Sequence, residues 1–148
     1  MNELAGKTGL NLVADIGGTN TRVALAHGPM VDRTTVQRYA NAEETSLDAV
    51  LSAYLNKTGV APGQITGVCV AAAGPVHDGV AKLTNLDWQI DRDRLAQALP
   101  AARVAVLNDL QAQGHAIGHI DAAELEGVIP QPEVPPQATK LVVGLGTG

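Results

Sequence analysis

The sequence predicts an α/β domain in which a mixed sheet carries helices on its faces. Two observations point there. Apolar runs of strand length, such as Leu10–Ile16 and Ile65–Ala72, are separated by a stretch in which Leu47, Val50, Leu51, Tyr54 and Leu55 recur at helical spacing. Glycine or proline then closes off most segments, so that strands and helices succeed one another as separate elements.

Leu10–Ile16 reads as a first strand and residues 21–26 as a second, joined by a glycine turn. Gly28-Pro29 breaks the chain, and residues 34–39 have the β-branched character of a third strand. Connections this short make the three an antiparallel meander. A helix follows, with Thr45 or Ser46 as its cap, Asp48 in its first turn and Gly59 as its stop. Ile65–Ala72, continuously apolar, is expected to be a strand buried on both faces. Gly74-Pro75 ends it, and residues 80–83 return as an edge strand. A second helix runs from Asp91, a good N-cap, to Leu99, before Pro100. Residues 103–107 form another buried strand, and residues 110–120 a third helix despite Gly114 and Gly118. The order β-β-β-α-β-(β)-α-β-α is that of an actin-like (ribonuclease-H-like) ATPase domain with a mixed sheet of five or more strands.

This domain is expected to occupy residues 1–120. Beyond it, residues 130–136 (Pro-Gln-Pro-Glu-Val-Pro-Pro) form a proline-rich connector. Residues 141–148 (Leu-Val-Val-Gly-Leu-Gly-Thr-Gly) read as a strand entering a second glycine loop. Residues 121–148 are thus expected to be a linker and the start of an incomplete second domain.

Composition removes several functional classes. The 148 residues are 45% hydrophobic and 17% charged, as in a soluble globular protein. Phenylalanine is absent and aromatics total 2%, so the core must be Val, Ile, Leu and Ala. A net charge of −5 without any Lys/Arg cluster argues against a nucleic-acid surface. The single cysteine, Cys69, rules out an internal disulfide framework and a Cys-rich zinc site; it reads as a buried, inert thiol. Residues 1–9 lack an apolar stretch, and Leu10–Ile16 is too short for a signal or a membrane span. The expectation is a cytoplasmic protein with no membrane contact.

The chemistry concentrates at strand ends. Asp15-Ile16-Gly17-Gly18-Thr19-Asn20 follows the first strand directly. Missing Cβ atoms let backbone N–H groups crowd a phosphate oxygen, and Asp15 would face the metal that accompanies a nucleotide polyphosphate. The same residues also suit an ordinary hairpin turn, and spacing alone leaves both readings open. Asn108-Asp109 follows the strand at residues 103–107; the pair fits either a substrate site or a cap on the next helix. His115 and His119 share one helix face, but no Glu or Cys completes a metal set, and packing or surface roles fit them better. Trp88 reads as a packing residue.

Five segments taken together are more specific: residues 15–22, residues 73–76 (Ala-Gly-Pro-Val), residues 83–88 (Leu-Thr-Asn-Leu-Asp-Trp), residues 107–110 (Leu-Asn-Asp-Leu) and residues 144–148. In this set and order the chain resembles the amino-terminal part of the bacterial glucokinases, among the hexokinase-like, actin-fold sugar kinases. The resemblance implies ATP-dependent phosphorylation of glucose, or of a similar hexose, to the 6-phosphate. It implies Asp109 as catalytic base and Asn108 and Asn85 as sugar-binding residues. It also implies that Asp15, Gly17, Gly18, Thr19, Asn20, Gly146 and Thr147 contact ATP, with Asp15 holding Mg²⁺ through water. A frayed glycine-rich chain end is the other reading of Gly146 and Thr147. The family is often dimeric, so a homodimer is a further expectation. The isolated chain, less than half the family's length, is expected to be inactive. Alternatives on the same fold are a ROK-type kinase of another hexose, a non-catalytic sugar-responsive or interaction module, or an actin-like ATPase without a sugar acceptor.

Overall fold

Side-chain alternation along the strands decides which face of the sheet is buried. In β1 (Leu10–Ile16), Leu12, Ala14 and Ile16 are buried, whereas Val13 is half-buried and Asp15 exposed. The computed structural model describes residues 9–83, 85–100, 102–130, 135 and 137–144. It divides into two units, Met1–Asp109 and Leu110–Gly148.

The first unit holds both sheets. β1 pairs antiparallel with β2 (Asn20–His27), which in turn pairs with β3 (Met30–Val31) and β4 (Gln37–Ala40). On its other side β1 runs parallel to β5 (Ile65–Ala72), and β5 runs parallel to β9 (Arg103–Asn108). The described strands thus form a six-stranded mixed sheet in the order β3-β2-β1-β5-β9, with β4 also on β2. A second, three-stranded sheet joins β6 (Val76–His77), β7 (Val80–Lys82) and β8 (Gln89–Asp91).

The expected third strand, residues 34–39, begins only at Gln37. Asp32 accepts hydrogen bonds from the Thr34 N–H at 3.0 Å and the Thr34 hydroxyl at 2.6 Å, which winds Arg33–Thr35 into a 3-10 turn. Such a side chain offers the backbone an alternative to the strand ladder. Of the expected strand only β4 remains, and β3 is an additional short strand before it.

Helix α1 (Leu47–Thr58) forms where its local signals coincide. Ser46 accepts from the Ala49 N–H at 3.2 Å, and Gly59 closes the helix in the left-handed conformation, at φ +71°. Its stripe of Leu47, Val50, Leu51, Tyr54 and Leu55 is buried, in one cluster with Leu12, Ile16, Val23, Val68 and Val70 of the sheet. Helix α2 (Arg92–Ala98) is capped by Asp91, and adds Leu95 to the same cluster. Both helices therefore cover one face of the sheet.

The other face departs from expectation. Along β5, Ile65 at its start and then the alternate residues Val68, Val70 and Ala72 are buried, while Gly67, Cys69 and Ala71 are half-buried. The run is continuously apolar because its second face carries small residues. It is not buried on both sides.

In the second unit, α3 (Asp109–Ala116), whose first residue closes the first unit, gives way to a 3-10 turn at Ile117–His119 around Gly118. Residues 141–144, expected to be a strand, are irregular, and the described residues give them no partner strand. Among the described residues no helix is long and apolar enough to cross a membrane.

Candidate active site

β1, β5 and β9 are parallel, so their carboxyl ends lie along one edge of the sheet. Register aligns Ile16 with Ala72 and Ala72 with Asn108, and one step earlier Asp15 with Ala71 and Ala71 with Leu107. β1 and β9 flank β5, which sets their tips two strand spacings apart, about 10 Å. That edge is where open α/β sheets present ligand-binding residues.

Asp15 is exposed at the β1 tip, and its carboxylate accepts from Arg22 of β2 at 3.3 Å. A pair this exposed adds little stability. The glycine turn follows. The Gly17 N–H donates to the Asn20 carbonyl at 3.0 Å and so is used inside the turn. The Gly18 and Thr19 amides have no protein partner among the described residues. Neither Gly17 nor Gly18 has positive φ. What their missing Cβ atoms provide is bare surface: a Cβ on Gly17 would meet only the Asn20 carbonyl, at 3.5 Å.

Asn85 lies against this turn, with its Nδ2 3.4 Å from where a Gly18 Cβ would stand. Asn20 accepts from Arg38 Nε at 2.9 Å. At the β9 tip, Asn108 donates from Nδ2 to the Gly74 carbonyl at 3.0 Å. Asp109 comes next, half-buried, as the first residue of α3. Gly146 and Thr147 lie outside the described residues. Trp88 is buried in the core cluster, as a packing residue would be.

Sequence reasoning missed Asn41. This residue is buried, 2% exposed, and its side chain donates to the Gly17 carbonyl at 2.8 Å and accepts from the Thr21 hydroxyl at 2.8 Å. Nothing in the local Tyr-Ala-Asn-Ala-Glu stretch marks it, because its partners are 24 and 20 residues away.

The sheet order, with polar residues and a glycine turn at its parallel tips, defines the actin-like ATPase fold. Solved structures agree: a glucokinase from an Antarctic psychrotroph superposes at TM-score 0.68 with 29% identity, covering 80% of this chain and 38% of that one. The fold also matches a ROK family glucokinase from Streptomyces griseus, solved with glucose and AMPPNP, at TM-score 0.52 and 23% identity, over 72% of this chain and 35% of that one. A glucokinase of Chromohalobacter salexigens is 34% identical over 137 residues, or 93% of this chain. The glucokinase family model matches residues 12–148, and the chain belongs to that family. It spans 42% of the length of the Chromohalobacter relative.

Proposed function

We propose that the protein carrying this chain transfers the γ-phosphoryl group of ATP to a hydroxyl of glucose or a closely similar hexose. Membership in the glucokinase family is the observation that carries the reading. The relative solved with glucose and AMPPNP supports a hexose acceptor and a nucleoside triphosphate donor.

In this reading Asp109 accepts the hydroxyl proton as the sugar oxygen bonds to phosphorus and the bond from phosphorus to the ADP oxygen breaks. A sugar hydroxyl is a weak acid, so the proton moves late, and positioning and electrostatics supply the remaining acceleration. Asn108 and Asn85 bind the sugar; an amide both donates to and accepts from hydroxyls. Asp15, Gly17, Gly18, Thr19 and Asn20 hold ATP phosphates, and Gly146 and Thr147, which lie outside the described residues, are proposed as further ATP contacts. Among the described residues no cluster of three or more His, Cys, Asp or Glu is placed to hold a metal. One exposed carboxylate, Asp15, suits Mg²⁺, which keeps several waters and takes its other ligands from phosphate. Asp15 would hold the ion through water, and the ion would there supply neutralisation of the phosphate charge. A cytoplasmic location and a homodimer accompany this reading.

The test is coupled spectrophotometry of ATP-dependent glucose phosphorylation by the intact protein and its Asp109→Ala variant. Turnover is expected to fall by about 10²–10⁴-fold while glucose binding, measured by titration, is retained. Unchanged turnover in the variant would remove Asp109 from the reaction.

A further inference from the structure

We infer that Asn41 is the positioning residue of the first phosphate turn, holding the Gly18 and Thr19 amides in the direction a polyphosphate needs. The inference rests on the kinase reading above and goes beyond it, to a residue outside the glycine motif.

The turn is tied down from one side by one residue. β4 pairs with β2 at Asn20–Ala40 and Thr21–Tyr39, and this delivers Asn41 beneath the turn. There its main-chain N–H donates to the Thr19 carbonyl at 3.0 Å. Its Nδ2 donates to the Gly17 carbonyl at 2.8 Å, and its Oδ1 accepts from Thr21 Oγ1 at 2.8 Å. The side chain thus uses one donor and one acceptor at once, a combination that Asp or Leu cannot supply. Asn41 is 2% and Thr21 0% exposed, so water cannot readily replace either bond.

These bonds fix orientation as well as position. With the Gly17 and Thr19 carbonyls engaged by Asn41, the Gly17–Gly18 and Thr19–Asn20 peptide planes are held, and the peptide between them, which carries the Thr19 N–H, is restrained from both ends. The Gly18 N–H belongs to the peptide whose carbonyl is Gly17's, so it must point away from Asn41. Released, the Gly17 carbonyl is free to rotate toward the anion, where its negative end would repel phosphate. A preset array of donors binds an anion better than one that must reorganise first.

The test is titration of the intact, ¹⁵N-labelled protein with Mg·ATP, and separately with tripolyphosphate, reading the Gly18 and Thr19 amide signals. In the wild type both signals move on binding. Asn41→Ala is expected to weaken Mg·ATP binding roughly tenfold and to blunt those shifts, with glucose affinity altered less than about twofold. Asn41→Asp keeps the acceptor for Thr21 but turns an oxygen against the Gly17 carbonyl, and is expected to weaken binding at least as much. Should Asn41→Ala fail to fold, Thr21→Val decides, because it removes one of the two side-chain bonds at nearly unchanged volume; a several-fold loss supports the inference. Wild-type affinity in a folded Asn41→Ala or Thr21→Val protein overturns it. A wild-type protein whose amides ignore Mg·ATP overturns the kinase reading itself, and this inference with it.

Discussion

The Tyr54 hydroxyl donates to the Thr35 carbonyl at 3.0 Å, which joins α1 to the 3-10 turn before β4. Tyr54 is 0% exposed, and burial pushes its phenol above the ordinary value of 10.0. The folded protein therefore holds this proton more tightly than the unfolded chain does. The associated stability is fully present below pH 10.0 and declines as the pH rises toward the folded-state pKa. Denaturant unfolding followed from pH 8 to 11 is expected to show this alkaline loss. Tyr54→Phe costs about 1 kcal/mol at neutral pH, from the lost hydrogen bond, but has a shallower loss above pH 10. The remaining slope includes Tyr39, whose phenol burial also raises.

Gly74 sits where β5 gives way to the second sheet, and a Cβ there would collide with the Lys82 carbonyl. Gly74→Ala is expected to destabilise the protein by about 1–3 kcal/mol in urea unfolding, since backbone must shift to admit the methyl. Because the Gly74 carbonyl anchors Asn108, the same variant is expected to raise the KM for hexose.

Ile16 ends β1 and is 0% exposed. Ile16→Ala is expected to cost about 2–5 kcal/mol in chemical denaturation, and Ile16→Val about 0.5–1.5 kcal/mol, the difference tracking the cavity left.

Burial raises the Cys69 thiol above its ordinary value, and the side chain is half-buried on the small-residue face of β5. Only the thiolate reacts, so alkylation by iodoacetamide at pH 7 is expected to be slow in the native protein, to quicken with rising pH, and to become fast in denaturant. Rapid native-state labelling at neutral pH would contradict this.

What the sequence revealed follows from how local each signal is. Helix α1 was legible because its cap Ser46, its stop Gly59 and its stripe each act within a few residues of the helix. The tip residues Asp15 and Asn108 were legible because strand ends follow from apolar runs. The late start of β4 was not, since it turns on one Asp32 side chain competing with a ladder. The strand Gln89–Asp91 was missed because three residues acquire strand geometry only by pairing with Val80–Lys82. Asn41 was missed for the same reason at longer range, its partners being brought close by the β2–β4 pairing. The half-open face of β5 was misread because Gly, Cys and Ala count as apolar whether or not anything covers them.

Trp88 is 8% exposed, and the chain has no other indole. Its fluorescence is therefore a built-in single-site probe three positions from Asn85. Emission should be blue-shifted in the native protein and red-shifted on denaturation. Sugar arriving near Asn85 is expected to change its intensity, which gives a label-free optical titration with no competing tryptophan.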